Sequence, residues 1–183
     1  MKYISVIVPV LLIVLLSACS SQPQVNYYQL PATSVDAPPG ADARLGLFVE
    51  PVQVASYLNG RGLVLQLSPV ELVTARQHLW AEALDQHLQR QLRYSVPALA
   101  PAYFAQLQSG ADSVRLEVQV DRFHGLAEGY AVLSGRFSLS NQTNVQRFDL
   151  RVPLSDDGYP ALVLALGEGL AQLSQQIAGQ LND

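Results

Sequence analysis

The stretch 114-VRLEVQVD-121 alternates apolar and polar residues at every step. Successive side chains of a β-strand point to opposite faces, so its apolar residues share one face and its polar residues the other. A strand with one dry and one wet face is typical of an antiparallel sheet that packs on a core. Segments 130–139 and 145–154 resemble two further strands, and the polar link 141–144 suits a hairpin. The C-terminal half therefore predicts an antiparallel meander.

Two helices are predicted from apolar residues that recur at three- and four-residue intervals. The first begins near Ala75 and ends near Tyr94, because Pro97 and Pro101 prevent its continuation. Its apolar stripe consists of Trp80, Leu84, Leu88 and Leu92. The second runs from about Ala161 to Leu181. Its two interior glycines, Gly167 and Gly169, are unfavourable in a helix unless they allow close packing on the sheet.

Shorter signals fill the region before the first helix. Residues 27–30 favour a strand, and residues 45–58 form another that an Asn59-Gly60 turn joins to a strand at 61–67. Residues 68–71 fit a helix capping box, or else residues 70–73 are extended. Residues 103–107 fit a short turn of helix. The elements together predict an α+β fold, with a mostly antiparallel sheet and two long amphipathic helices packed on one face.

The N-terminus has the features of a secretory signal. Lys2 precedes an apolar run, Val6–Leu16, that is too short for the ~20 residues needed to cross a bilayer. Residues Leu16, Ser17, Ala18 and Cys19 then resemble a bacterial lipobox, in which the cysteine receives diacylglycerol and an N-acyl chain. The alternative is an ordinary signal peptide followed by an incidental cysteine. We therefore expect a signal peptide at 1–18, a lipidated tether at 19–26 and a single α+β domain at 27–183.

Composition limits the partners of this domain. After residue 18 the chain has ten arginines, no lysine and fifteen acidic residues, so it is acidic and lacks a basic cluster. This balance argues against binding nucleic acid and leaves membrane attachment to the acyl chains. Ser20 follows the cysteine, and the absence of an aspartate there resembles the sorting signal for the outer membrane. The predicted location is the outer membrane, facing the periplasm.

Catalytic patterns are absent from the sequence. His78 and His87 are nine residues apart and do not share a helical face, and no carboxylate pattern completes a metal site with His124. The sequence has no nucleophile elbow and no phosphate-binding glycine loop. We expect no enzyme activity, no metal and no cofactor other than the covalent lipid on Cys19.

Three short motifs carry a resemblance to a family. They are Tyr27–Pro31 near the lipobox, Val52–Leu58, and Trp80-Ala81-Glu82. In this order and spacing the chain resembles the PqiC-type lipoproteins, the auxiliary lipoprotein component of ABC-type transport or MCE systems. The resemblance implies a non-enzymatic protein that works with an MCE-domain periplasmic protein and inner-membrane transport components. It also implies assembly into a homo-oligomeric ring, and a role in moving lipids or other hydrophobic molecules between membranes and in membrane integrity.

The residues we expect at a partner or subunit contact are Tyr57, Leu58 and Arg61, because they flank a predicted tight turn. An ordinary hairpin is the alternative for this segment. For the whole protein, docking of a periplasm-spanning partner is favoured. Both apolar helix stripes are expected to pack on the sheet, which leaves no obvious apolar lining for a lipid cavity. A lipid-binding carrier with its own apolar pocket and a purely structural envelope lipoprotein are the other candidates.

Overall fold

The structure is a computed structural model that describes residues 24–32 and 44–182. The predicted signal peptide, the lipobox with Cys19, and Ser20 lie outside the described residues. The helices are α1 (Leu84–Leu99) and α2 (Tyr159–Asn182), and a 3₁₀ turn covers Ser56–Leu58. The described strands are β1 (Asn26–Tyr28), β2 (Leu45–Val49), β3 (Gln53–Val54), β4 (Gly62–Ser68), β5 (Glu71–Trp80), β6 (Tyr103–Gln106), β7 (Val114–Leu126), β8 (Tyr130–Leu139) and β9 (Val145–Pro153).

Strand β7 is the centre of the sheet. Antiparallel β8 follows one of its edges from Leu116 to Leu126. Its other edge is shared by three short parallel strands, with β2 at Val114–Leu116, β3 at Gln119–Val120 and β4 at Gly125–Leu126. Beyond them β6 pairs with β2, and β5 and then β1 follow β4. The alternating stretch that the sequence singles out is thus the strand on which the sheet is assembled.

The predicted mostly antiparallel sheet is wrong. The sheet is mixed, and five of its eight strand pairings are parallel. The antiparallel pairings are β4–β5, β7–β8 and β8–β9, each between strands adjacent in sequence. Parallel strands need a long crossover, and here α1 and its flanking segments provide it between β4 and β7. Local patterns reveal hairpins but give no sign of such distant pairings.

The predicted Asn59-Gly60 hairpin is also wrong. Asn59 has φ −68°, and neither residue takes a positive φ. The segment before it, β3, pairs with β7, and β4 forms its hairpin with β5 instead. The turn of that hairpin lies at Ser68–Glu71, and β5 continues from Glu71. The extended alternative is therefore correct for residues 71–73, and the predicted capping box at 68–71 is wrong.

The first helix begins nine residues later than predicted. Residues up to Trp80 belong to β5, and α1 continues past Pro97 into its last turn. Trp80 is nevertheless buried with Leu84, Leu88 and Leu92, because the corner between strand and helix keeps all four on one core. Residues 103–106 form β6, so the predicted helical turn there is wrong.

The two helices pack against each other and against the sheet. A hydrogen bond of 2.7 Å joins the buried hydroxyls of Ser95 and Ser174 between them. A Cβ on Gly167 would lie 2.7 Å from the ring of Pro31, so this glycine allows the chain after β1 to lie directly on α2. The α+β class, β8, β9 and the second helix are as predicted.

Candidate functional site

The predicted contact segment lies at the point where β3 passes into β4. Tyr57 is half-buried, and its hydroxyl donates a 2.9 Å hydrogen bond to the backbone oxygen of Asp121 on β7. Its ring lies 6.2 Å from the ring of His124. Burial raises the pKa of the Tyr57 phenol, against the opposing effect of Arg122, so Tyr57 stays a neutral hydrogen-bond donor. Its free ring edge remains available at the surface.

Leu58 and Arg61 have different environments. Leu58 is buried in the core, so its side chain supports the turn from below. Arg61 is exposed, and its Nε and Nη2 donate to the backbone oxygens of Trp80 and Ala81 at 3.0 and 2.6 Å. Its guanidinium also lies 5.4 Å from the ring centre of Tyr27. Arg61 therefore fastens the end of β5 to the start of β4. The surface of this segment consists of Asn59, Gly60 and the outer parts of Tyr57 and Arg61.

A charged corner stabilises the passage from β5 to α1. Glu82 forms a two-pronged ion pair with Arg90, and this pairing lowers the pKa of Glu82. His87 is buried between this pair and the edge of Trp80, whose ring centre is 6.4 Å away. Burial lowers the pKa of His87, and the nearby Glu82 carboxylate only partly offsets that effect. The Trp-Ala-Glu motif thus has a structural role, with tryptophan in the core and glutamate holding the first turns of α1.

A second cluster of side chains holds β1, the first described strand, against the rest of the domain. Tyr28 on β1 and His78 on β5 are hydrogen-bonded through the phenol and Nδ1 at 2.8 Å. The imidazole of His78 stacks on Tyr159 of α2 with ring centres 3.9 Å apart. Further along, Gln91 of α1 donates to the backbone oxygen of Pro31 at 3.2 Å. The start of the domain is thus joined to the sheet and to both helices by these contacts.

The sheet face opposite the helices is polar. Arg122 bonds to Ser134 and Asp149, and Arg136 donates both of its contacts to the amide oxygen of Gln119. A shallow cavity of about 440 Å³ lies over this face and is lined mainly by these residues and Arg147. Its opposite charges are interspersed, which gives a hydrated surface rather than an apolar site.

An apolar cavity lies where α2 begins. It has a volume of about 250 Å³ and is lined by leucines from β4, β7 and α2, together with Tyr159. Pockets that bury a drug-sized ligand have volumes of roughly 300–1,000 Å³, and a phospholipid is larger than such a ligand. This cavity therefore cannot enclose a whole lipid molecule in the conformation described.

No group of three or more His, Cys, Asp or Glu residues in segments 24–32 and 44–182 is arranged to hold a metal ion. None of the helices in this part of the chain is long and apolar enough to span a bilayer.

Comparison with known proteins identifies the family. The model of the ABC-type transport auxiliary lipoprotein component matches residues 28–178, which is nearly the whole described domain. The chain belongs to this family. Similar curated proteins include the intermembrane transport lipoprotein PqiC of Escherichia coli (strain K12) and its counterpart in Shigella flexneri. Each is 34% identical over 172 residues, which is 91% of this chain and 91% of the relative.

Two crystal structures share the fold. One, of an uncharacterized protein, has a TM-score of 0.77 and 36% identity, and covers 86% of this chain and 98% of that one. The other, of a Xanthomonas campestris protein, has a TM-score of 0.62 and 18% identity over 86% and 91% of the two chains. The resemblance drawn from the sequence motifs is thus confirmed at the level of the family.

The sequence reveals only part of this arrangement. It singles out Tyr57 and Arg61, but the structure gives them separate neighbours, β7 for one and β5 for the other. The Tyr28–His78–Tyr159 stack and the Glu82–Arg90 pair were missed. Tyr28, His78 and Tyr159 are far apart in the sequence, so no local pattern marks their stack. Glu82 and Arg90 are only eight positions apart, and this spacing is the one signal that could have indicated their ion pair.

The buried histidines predict a pH dependence of stability. His87 and His124 both have pKa values lowered by burial from an ordinary value of 6.5. The folded state then binds fewer protons than the unfolded state once the pH falls below about 6.5, so the free energy of unfolding decreases there. The contribution is fully present above pH 6.5. Urea denaturation between pH 7.5 and 5 should show this loss, and His87→Gln should flatten the curve.

Glu82 titrates in a different range. Its lowered pKa places the loss of the Glu82–Arg90 pair below its ordinary value of 4.5, outside the range of the histidines. A wild-type free energy of unfolding that stays constant between pH 7.5 and 5 would contradict the role given to the buried histidines. A His87→Gln variant whose free energy of unfolding falls as steeply as that of the wild type would contradict the role given to His87.

Proposed function

We propose that this protein is a lipid-anchored component of an MCE/ABC-type envelope transport system that docks a periplasm-spanning partner. The observation that carries the proposal is membership of the transport auxiliary lipoprotein family across residues 28–178. A relative with 34% identity is named an intermembrane transport lipoprotein, which supports a role in transfer of lipids or other hydrophobic molecules between membranes. In this role the domain is non-enzymatic, and its ring assembly and its support of membrane integrity follow from the family resemblance.

Docking is favoured over carrying lipid because the apolar surface of both helices is buried inside the domain. The stripes of α1 and α2 are buried against each other and the sheet. The apolar cavity beside the start of α2 has a volume of about 250 Å³, which is too small for a phospholipid. A carrier needs an enclosed apolar space that matches its cargo. A purely structural lipoprotein is the remaining alternative, and a genome context without MCE and ABC-type components would favour it.

The anchor and its location are also proposals. Cys19 would carry the lipid, with Leu16, Ser17 and Ala18 forming the processing signal and Ser20 directing the protein to the outer membrane. Ser20→Asp should move the full-length protein from the outer-membrane to the inner-membrane fraction on a density gradient. Ser20→Thr is the matched control and should leave the distribution unchanged. An unchanged distribution of Ser20→Asp would show that Ser20 does not direct sorting, and wild-type protein in the inner-membrane fraction would remove the outer-membrane assignment.

The proposed contact at the Tyr57–Arg61 turn can be tested without disturbing the fold. A Cβ on Gly60 meets no atom within 4 Å, and the same is true of Gly179 on α2. Both positions thus accept a side chain, but only Gly60 lies in the proposed contact. We expect Gly60→Arg to lower the amount of MCE partner, or of self-associated subunits, by about tenfold or more, as substitutions at the centre of a contact often do.

The measurement is co-purification of the partner with the tagged full-length lipoprotein from detergent-solubilised envelopes, with light scattering for self-association. Gly179→Arg should behave as wild type in both. Equal recovery and equal subunit number for Gly60→Arg and Gly179→Arg would show that this turn contacts neither a partner nor another subunit.

A further inference from the structure

The turn of the β4–β5 hairpin is an exposed apolar tip, formed by residues 67–73. It contains four large apolar residues whose side chains are at least two-fifths exposed: Leu67 (45%), Val70 (97%), Leu72 (43%) and Val73 (42%). Glu71 is the only charged residue between Gly62 and Ala75. Contiguous exposed apolar surface on a soluble domain marks a contact with a partner or with a membrane.

The apolar residues of this tip lie on both faces of the hairpin. Val73 pairs with Leu65, which is directed towards α2 and the cavity at its start. Leu72 pairs with Gln66 and, with Val70, lines a different cavity that also includes Tyr57 and His124. A strand that is apolar on both faces requires cover on both. A lipid phase can cover both faces of the tip at once, whereas a flat protein surface can cover only one.

The tip also projects beyond the paired part of the sheet. Strand β4 pairs with β7 as far as Gln66, and β1 pairs with β5 only at His78–Trp80. Within the described residues, β5 has no strand neighbour on its outer edge from Glu71 to Gln77. The hairpin turn therefore lies beyond the last paired residues of β4, and on one face it borders the cavity that it shares with Tyr57, Asp121 and Arg122.

The direction of β1 relates this tip to the predicted lipid anchor. Strands β1 and β5 are parallel, with Asn26 opposite His78, so the chain enters β1 from the side on which the hairpin tip lies. Cys19 lies seven positions before Asn26, and Glu71 lies seven positions before His78. A chain of seven residues spans at most about 25 Å. The tether is therefore just long enough to reach the level of the tip, and too short to let the domain move far from the lipid.

We propose that the hairpin tip 67–73 inserts into the phospholipid surface that holds the Cys19 lipid, as a second point of attachment that fixes the orientation of the domain. This inference rests on the lipid attachment in the proposed function. Because the tip has no basic residue, its contact depends on apolar burial and needs no anionic lipid. The contacts among Tyr28, His78 and Tyr159 then keep β1, β5 and α2 in a fixed orientation relative to the membrane.

The test uses the full-length lipidated protein in vesicles of phosphatidylethanolamine and phosphatidylglycerol. Cys19 is the only cysteine, and lipid blocks its thiol, so a new cysteine can carry an environment-sensitive fluorophore alone. The test positions are Val70→Cys at the turn and Val73→Cys further back. The control is Leu107→Cys, which is 73% exposed and follows β6, near the opposite end of β7.

Nitroxide groups on the acyl chains quench only fluorophores that reach the hydrocarbon. We expect strong quenching and a blue shift at Val70, weaker quenching at Val73, and neither at Leu107. Circular dichroism checks that the variants fold, and Val70 and Val73 provide independent readings if one variant fails. Equal, weak quenching at all three positions would overturn the proposal, as would protection of Val70 that depends on protein density rather than on lipid.

Failure of the underlying lipoprotein assignment is separately visible. A chain without lipid on Cys19 would lack the acyl mass and take up two fluorophores instead of one. A lipidated chain whose Val70 remains unquenched would overturn the hairpin contact while leaving the anchor intact.

Discussion

The fold depends on the pairing of a single strand, β7, along both of its edges. Thirteen residues of extended backbone present donors and acceptors to both sides, and these groups must be paired when the strand is central. One edge is paired by β8, and the other by three short strands that arrive from different parts of the chain. The strict alternation of its first eight residues puts Leu116, Val118 and Val120 into the core beneath the helices. The β-bulge between Val120 and Arg122 then shifts the register for the second half.

This arrangement positions both of the proposed contact surfaces. Because β3 and β4 lie on the same edge of β7, the Tyr57–Arg61 turn between them is held at the sheet by Asp121 on one side and by the end of β5 on the other. The same pairing places the β4–β5 hairpin at the far end of β7. With both helix stripes buried, the described residues offer exposed turns as contact surfaces. The proposed role in docking thus follows from where the sheet ends and turns, not from a reactive group.

Elements whose signals are local were predictable from the sequence. Strands β8 and β9 and helix α2 have clear periodicity and short connections, and the sequence predicts each to within a few residues. The start of α1 was not predictable, because Trp80 continues the four-residue spacing of the helix although it ends a strand. The parallel pairings were hidden for a similar reason. The pairings of β2 with β6 and of β4 with β7 join strands that lie on opposite sides of α1 in the sequence, so no short window contains both partners. In the candidate site, the sequence marks Tyr57 and Arg61 by residue type, but their hydrogen bonds to distant backbone oxygens appear only in three dimensions.

The central claim is that this domain acts by contact and does not carry lipid. Native mass spectrometry of the full-length lipidated protein, released from mild detergent, tests that claim most directly. We predict the mass of the processed chain with its covalent acyl groups, alone or as a multiple of that unit, and no further lipid. One phospholipid retained per chain, and exchangeable for another added in solution, would contradict this prediction and identify the domain as a carrier.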